Sequence, residues 1–193
     1  MKNLVIVQGH PDRAGNHLCH ALADAYAKAA EQAGHRVQRI DVAGLEFPLL
    51  RTKEEFEKGA VPASLRPCQQ AIGAADHLVI VYPLWLGEMP AMLKAFFEQV
   101  FRPGFAFRYT DRGFPIKQMK GKSARIVVTM GMPALAYRWY FRAHGLKSLR
   151  RNILGFCGFG PIGDTLYGMV EGASQTTRTA WLTQMHALGK AAR

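Results

Sequence analysis

The run His77-Leu78-Val79-Ile80-Val81-Tyr82 constrains the fold more than any other stretch of the chain. It is rich in β-branched residues and shows no polar alternation. A strand of that kind is buried on both faces, which happens in parallel sheets covered by helices on either side. Pro83 closes the run, and Pro90 stands where a first helical residue needs no N–H, so it opens a helix over Ala91–Phe101. Leu4-Val5-Ile6-Val7 is a second apolar block, ended by Gly9-His10-Pro11-Asp12. It is too short for a signal-peptide core, and no run reaches the roughly 20 residues that span a membrane. A cytoplasmic protein that does not cross a membrane is therefore expected.

Between these strands the pattern alternates. Lys2–Val7 reads as the first strand, and His17–Ala33 as a helix with Leu18, Leu22, Ala25, Tyr26 and Ala29 at helical spacing and Gly34 after it. Arg36–Val42 reads as a strand, Pro62–Ala75 as a helix and His77–Tyr82 as the third strand. Arg102–Lys122, rich in Gly, Pro and aromatic residues, reads as an excursion from the sheet. Ser123–Met130 is a fourth strand, Tyr137 to Leu154 a helical stretch, Thr165–Met169 a fifth strand and Ser174–Ala191 a closing helix. Alternation of this kind predicts one α/β domain over residues 1–193, a three-layer sandwich of the flavodoxin-like type. Its five parallel strands take the order 2-1-3-4-5.

Charge is unevenly placed. The chain carries 25 Lys and Arg against 14 acidic residues. Between Arg102 and Arg151 there are twelve cations and one acid, Asp111, while the remainder is balanced. Such a face attracts anions. No zinc spacing or nucleic-acid signature accompanies it, so a nucleic-acid partner is not expected. Cys19, Cys68 and Cys157 are odd in number and widely spaced, which predicts free thiols.

In a sheet of this order, ligands bind beyond the carboxyl ends of the strands where the strand order reverses. That selects three loops. Gln8–Asn16 runs from a strand into a helix and offers backbone N–H groups to a phosphate, with His10, Arg13 and Asn16 as further donors. It lacks the Gly-Lys-Ser/Thr of a triphosphate loop. Pro83-Leu84-Trp85-Leu86-Gly87-Glu88-Met89, bracketed by prolines, is a rigid apolar loop suited to the edge and face of a flat heterocycle. The third loop is Gly131–Ala136: the fourth strand runs into it as Thr129-Met130-Gly131-Met132-Pro133, and the Gly permits close approach of a ligand. Gly158-Phe159-Gly160-Pro161-Ile162-Gly163 matches a dinucleotide pattern on paper, but it follows a helical stretch and opens no helix, so it reads as a connection. No acyl-hydrolase elbow is present, and His17 and His20 lack the carboxylates a metal site needs. No metal is expected.

Four segments resemble the NAD(P)H:quinone oxidoreductase family: VIVQGHPD, AADHLVIVYPLWLGEMPAMLKAFFEQVF, GFAFRY and ILGFCGF. The resemblance implies a flavin cofactor, FAD or FMN, with NAD(P)H as electron donor and a quinone-like acceptor. It implies that His10, Asn16, His17 and Leu18 contact the flavin phosphate region. Pro83, Leu84, Trp85, Leu86 and Gly87 would cradle the ring system, with Thr129, Met130, Gly131 and Met132 on its far side. Tyr137 falls where the family often has a tyrosine near the flavin. Phe107 and Tyr109 match aromatics that roof the substrate pocket across a homodimer interface. The family's relay histidine is replaced by Ala143, with His144 beside it as the substitute candidate for catalysis together with Tyr137. Ala14-Gly15 stands where a Ser or Thr is usual. The activity implied is ping-pong hydride transfer, with NADPH preferred on account of the basic segment. The competing reading is a flavodoxin-like electron carrier or regulatory subunit with little catalysis of its own.

Overall fold

The computed structural model describes residues 1–193. Five parallel strands form the central sheet: β1 (Asn3–Gln8), β2 (Arg36–Asp41), β3 (His77–Pro83), β6 (Ser123–Thr129) and β7 (Ile162–Tyr167), in the order β2-β1-β3-β6-β7. This is the expected 2-1-3-4-5 arrangement, with the numbering shifted by a small hairpin. That hairpin, β4 (Phe107–Tyr109) and β5 (Pro115–Lys117), occupies the excursion and pairs antiparallel outside the main sheet.

Alternate residues of each central strand serve two cores. Leu4, Ile6, Val79, Val81 and Val127 face α1 (Leu18–Gln32) and α6 (Gln175–Lys190), where they pack with Leu22, Tyr26 and Met185. Val5, Val7, Leu78, Ile80, Ile126 and Val128 face the other way, toward α3 (Arg66–Ala74) and α4 (Ala91–Val100). Seven consecutive residues of β3 are buried, as its unbroken apolar run requires.

Four local features differ from the sequence expectation. α3 begins at Arg66, after a 3₁₀ turn at Ala63–Leu65. A short helix, α2 (Lys53–Lys58), was not expected; Thr52 Oγ1 accepts the Glu55 N–H at 3.1 Å, and Glu55 Oε2 accepts the Arg51 N–H at 2.8 Å. The last strand starts at Ile162 rather than Thr165, because Ile162 and Gly163 pair with Ala124 and Arg125. The stretch from Tyr137 to Leu154 is not one helix. Arg142 and Ala143 sit in the left-handed region, at φ 56° and 49°, and divide it. The pieces are a π-helical turn at Ala136–Tyr140, α5 (His144–Lys147) and a second π-helical segment at Ser148–Gly155.

Much of the basic segment is structural. Arg102, only 5% exposed, donates to the carbonyls of Glu55, Gly59 and Gln99. Lys122 Nζ donates to the carbonyls of Gly73 and Ala75, both at 2.7 Å. Arg125 bonds Thr165 Oγ1 and the Arg193 carbonyl, and Arg138 and Arg150 share Asp164. Cations so engaged stabilise buried or half-buried acceptors instead of forming a uniform basic face. All three cysteines are free and buried. No helix is long and apolar enough to cross a membrane.

Candidate functional site

The three selected loops meet at the carboxyl ends of β1, β3 and β6. In the first, the chain leaves β1 at Gln8, whose Oε1 accepts the His10 N–H at 3.2 Å. Asp12 Oδ1 then accepts the Ala14 N–H at 2.8 Å, which turns the loop toward α1. The N–H groups from Gly15 to Cys19 have no hydrogen-bond partner in the fold. Five successive free donors at the start of a 15-residue helix suit an anion.

Three imidazoles cluster beside these donors. His10 stacks on His17 with ring centroids 3.8 Å apart, and His20 lies 5.5 Å from His10 and 5.7 Å from His17. His10 Nδ1 lies 3.1 Å from the Asp12 N–H and 3.3 Å from the Asp12 carbonyl, so the Asp12 backbone anchors this edge of the ring in either tautomer. Burial pushes the His10 pKa below the usual value, and the neighbouring His17 and His20 push it further. His17 Nε2 lies 2.8 Å from Asp12 Oδ2. The Asp12 carboxyl is held below its usual range, first by the Ala14 N–H and then by His17. His20 Nδ1 is buried without a partner. His20 was not among the expected contacts; its place one turn after His17 would have revealed it.

The second loop is a tight turn. Trp85 and Glu88 exchange backbone hydrogen bonds at 2.9 and 3.0 Å, and the two residues between them are left-handed, Leu86 at φ 50° and Gly87 at φ 81°. A leucine in that region is strained, and strain of this sort concentrates at ligand sites. The turn leaves the Leu86 and Gly87 N–H groups unpaired and holds Leu86 wholly in solvent. Trp85 is half exposed, and its ring meets His10 edge-on at 6.3 Å, so the first two loops form one surface. A hollow of about 490 Å³ lies against this turn, lined by Trp85, Leu86, Met89, Pro90 and Lys94 among others.

The third loop is tied to the second by the Leu84 N–H, which donates to the Thr129 carbonyl at 2.8 Å. Thr129 and Met130 are buried, and Thr129 Oγ1 lies 3.1 Å from Cys19 Sγ on α1. The Thr129 hydroxyl therefore braces the first loop's helix. Gly131 is exposed and Met132 half-buried, leaving these two nearest the surface.

Tyr137 is buried behind the second loop. Its hydroxyl accepts the Leu146 N–H at 3.1 Å and reaches the Gly87 carbonyl at 3.4 Å. Burial pushes its pKa up. The chain passes close here because residue 145 is a glycine: a Cβ would lie 2.3 Å from the Gly87 oxygen. His144 is exposed and forms no side-chain hydrogen bond, and the Tyr137 hydroxyl meets the Leu146 backbone instead. Gly145 and Leu146 were not singled out in the sequence, since their part depends on the break at Arg142 and Ala143. Phe107 and Tyr109 also stand apart from the three loops. They line a second, apolar hollow with Phe97, Phe101 and Phe156, and Phe107 packs on Phe156 at 4.9 Å.

The fold and these loops define a class. A family model described as a flavodoxin-like fold matches residues 2–188, and the chain belongs to that family. Among its relatives is an "uncharacterized NAD(P)H oxidoreductase" of Haemophilus influenzae, 24% identical over 184 residues, which cover 93% of this chain and 90% of the relative. An FMN-dependent NADH:quinone oxidoreductase of Nitratidesulfovibrio vulgaris is 28% identical over 178 residues, 82% of each chain. Among solved structures, an NAD(P)H:quinone oxidoreductase from Methanothermobacter marburgensis superposes with a TM-score of 0.82 at 21% identity, over 100% of this chain and 99% of that one. These names agree with the family that the sequence motifs resemble.

Proposed function

We propose that this protein is a flavin-dependent NAD(P)H oxidoreductase that reduces quinones or similar acceptors. The observation that carries the proposal is the pairing of two sets of free backbone donors on one surface. Those of Gly15–Cys19 suit a phosphate, and those of Leu86 and Gly87 suit the edge of a flat ring system. Flavin, when bound, supplies the redox chemistry, accepting hydride from the nicotinamide and passing it to the acceptor. FMN is favoured over FAD by the names of relatives such as the Nitratidesulfovibrio enzyme.

In this reading His10, Asn16, His17 and Leu18 hold the phosphate end. Pro83, Leu84, Trp85, Leu86 and Gly87 orient the ring, and Gly131 and Met132 lie beside it. Thr129, Met130 and Tyr137 act from behind by fixing the backbone of these loops. Tyr137 is a positioning residue on this geometry, because both its hydrogen-bond contacts are to backbone atoms. Tyr109, which is exposed, completes a substrate pocket by reaching a second copy of the chain, and Phe107, buried against Phe156, backs it. The exposure of Leu135, Trp139, Tyr140 and Phe141 supports such an apolar contact between copies.

The test is stopped-flow mixing of flavin-loaded protein with NADPH or NADH. Rapid two-electron bleaching followed by reoxidation with a benzoquinone is expected, with parallel steady-state lines as the mark of a ping-pong cycle. Seven cations between Arg102 and Arg151 are free of hydrogen-bonded partners, which favours a higher kcat/KM with NADPH. Absence of bleaching by either nucleotide would overturn the enzyme reading and leave an electron carrier.

A further inference from the structure

At the opposite end of the sheet, where β1, β3 and β6 begin, lies a cavity of about 510 Å³. Its lining includes Lys2, His77, Ser123, Arg125 and Arg193, and no acidic side chain. The strand registers explain why these groups meet. His77 pairs with Ser123 and with Leu4, so Lys2 lies two residues before His77's partner on β1, and Arg125 two residues beyond its partner on β6. A period of two puts all of them on the sheet face that carries α1 and α6.

Each cation has unused capacity. Lys2 Nζ makes a single contact, to the Ala192 carbonyl at 3.3 Å. Arg125 commits Nε to the Arg193 carbonyl and Nη1 to Thr165 Oγ1, and Nη2 makes no hydrogen bond. Gly163 keeps space for that guanidinium, since a Cβ there would lie 2.9 Å from Nη2. Two side-chain carboxylates close by in the fold are occupied elsewhere, Asp76 accepting the Asn3 N–H at 2.7 Å and Asp164 held by Arg138 and Arg150, while the main-chain oxygen of Arg193, the last residue, takes Arg125 Nε at 2.6 Å.

His77 is the most informative member. It is 2% exposed, its Nδ1 lies 2.7 Å from Ser123 Oγ, and its Nε2 is buried with no partner. Ser123 Oγ also reaches the Asp76 carbonyl at 3.5 Å, and in either tautomer Nε2 is a buried polar atom without a partner, an arrangement that normally signals a missing one. Lys2 and Arg125 depress the His77 pKa in addition to burial, which is the response of an imidazole in a field that an anion would offset.

We propose that this cavity is a second ligand site, for a phosphate-bearing small molecule, formed by Lys2, His77, Ser123 and Arg125. It is independent of the flavin reading, and lies roughly 20 Å from the three loops, the length of β3 at about 3.3 Å per residue. Its volume exceeds that of a lone phosphate and falls in the range of small-molecule sites.

The test titrates inorganic pyrophosphate, and separately inorganic phosphate, into protein saturated with FMN, so that the loop before α1 is already filled. Calorimetry at constant ionic strength should show saturable binding near one equivalent, and the His77 Nε2 resonance should shift in step. Lys2→Gln, an exposed change, should weaken binding about tenfold. Arg125→Gln and Gly163→Ala, which remove or displace the guanidinium, should weaken it at least as much. Thermal melts check that each variant is folded. No saturable binding at millimolar concentrations would overturn the site, as would binding that Lys2→Gln and Gly163→Ala leave unchanged.

Discussion

At the scale of single residues, two histidines make opposite uses of burial. His10, with a pKa lowered first by burial and then by His17, is neutral at pH 7 in the free protein. A phosphate dianion beside it would favour the protonated form, so binding takes up a proton. FMN affinity should therefore tighten as pH falls from about 8 toward 6.5, while riboflavin affinity stays flat. Fluorescence quenching measures both, and equal pH profiles would rule out the phosphate contact. His10→Ala should flatten the FMN profile and weaken binding about tenfold, the loss of one charge-assisted hydrogen bond.

His77 is pushed down from 6.5 to about 4. A lowered folded pKa means that the unfolded chain binds the proton first. Its contribution is thus fully present above pH 6.5 and is lost as pH falls toward 4, a change on the order of 3 kcal/mol. Urea midpoints should drop over that interval in the wild type, and the drop should shrink in His77→Asn. Both histidines are visible in the sequence as residues, but their roles are not. His77 looks like the polar first residue of a strand until the register sets it between Lys2 and Arg125.

At the scale of elements, the turn after β3 shows where sequence reading succeeds and where it stops. The prolines and the Leu-Trp-Leu-Gly run mark a rigid apolar loop, and the structure has one. What supports it from behind is a segment that periodicity misreads. Tyr137 to Leu154 has helical spacing, yet two left-handed residues fold it back so that Gly145 meets Gly87. Substitutions separate the two glycines. Gly87→Ala has open space but a strained backbone, costing about 1–2 kcal/mol. Gly145→Ala meets backbone atoms that cannot step aside, so it must displace the turn. Flavin affinity should fall further in Gly145→Ala than in Gly87→Ala, and flavin titrations with melting curves can rank them. The missed helix α2 is a different case. Its Thr52–Glu55 capping pair was present in the sequence, but six residues carry too little periodicity to announce a helix.

At the scale of the whole molecule, the uneven charge resolves into two populations. Arg102, Lys122, Arg125, Arg138 and Arg150 bind acceptors within the fold, and the rest stay unpaired at the surface. The exposed apolar side chains of Leu135, Trp139, Tyr140 and Phe141 are a patch that a monomer seldom leaves bare. A homodimer is expected by sedimentation, and Trp139→Glu with Tyr140→Glu should shift it toward monomer if this patch is the contact. An unchanged dimer would place the contact elsewhere.

The alternation of buried strands and helices, the strand order and the three loops beyond the strand ends were all legible in the sequence. They follow from local periodicity and from the rule that ligands bind where strand order reverses. Tertiary structure alone decided that His10, His17, His20 and Trp85 share one surface, that Tyr137 bonds the Leu146 N–H, and that Lys2, His77 and Arg125 converge at the end of the sheet where its strands begin. Each of these depends on register or on a chain reversal, which bring together residues tens of positions apart, and nothing in the local spacing of a sequence encodes that distance.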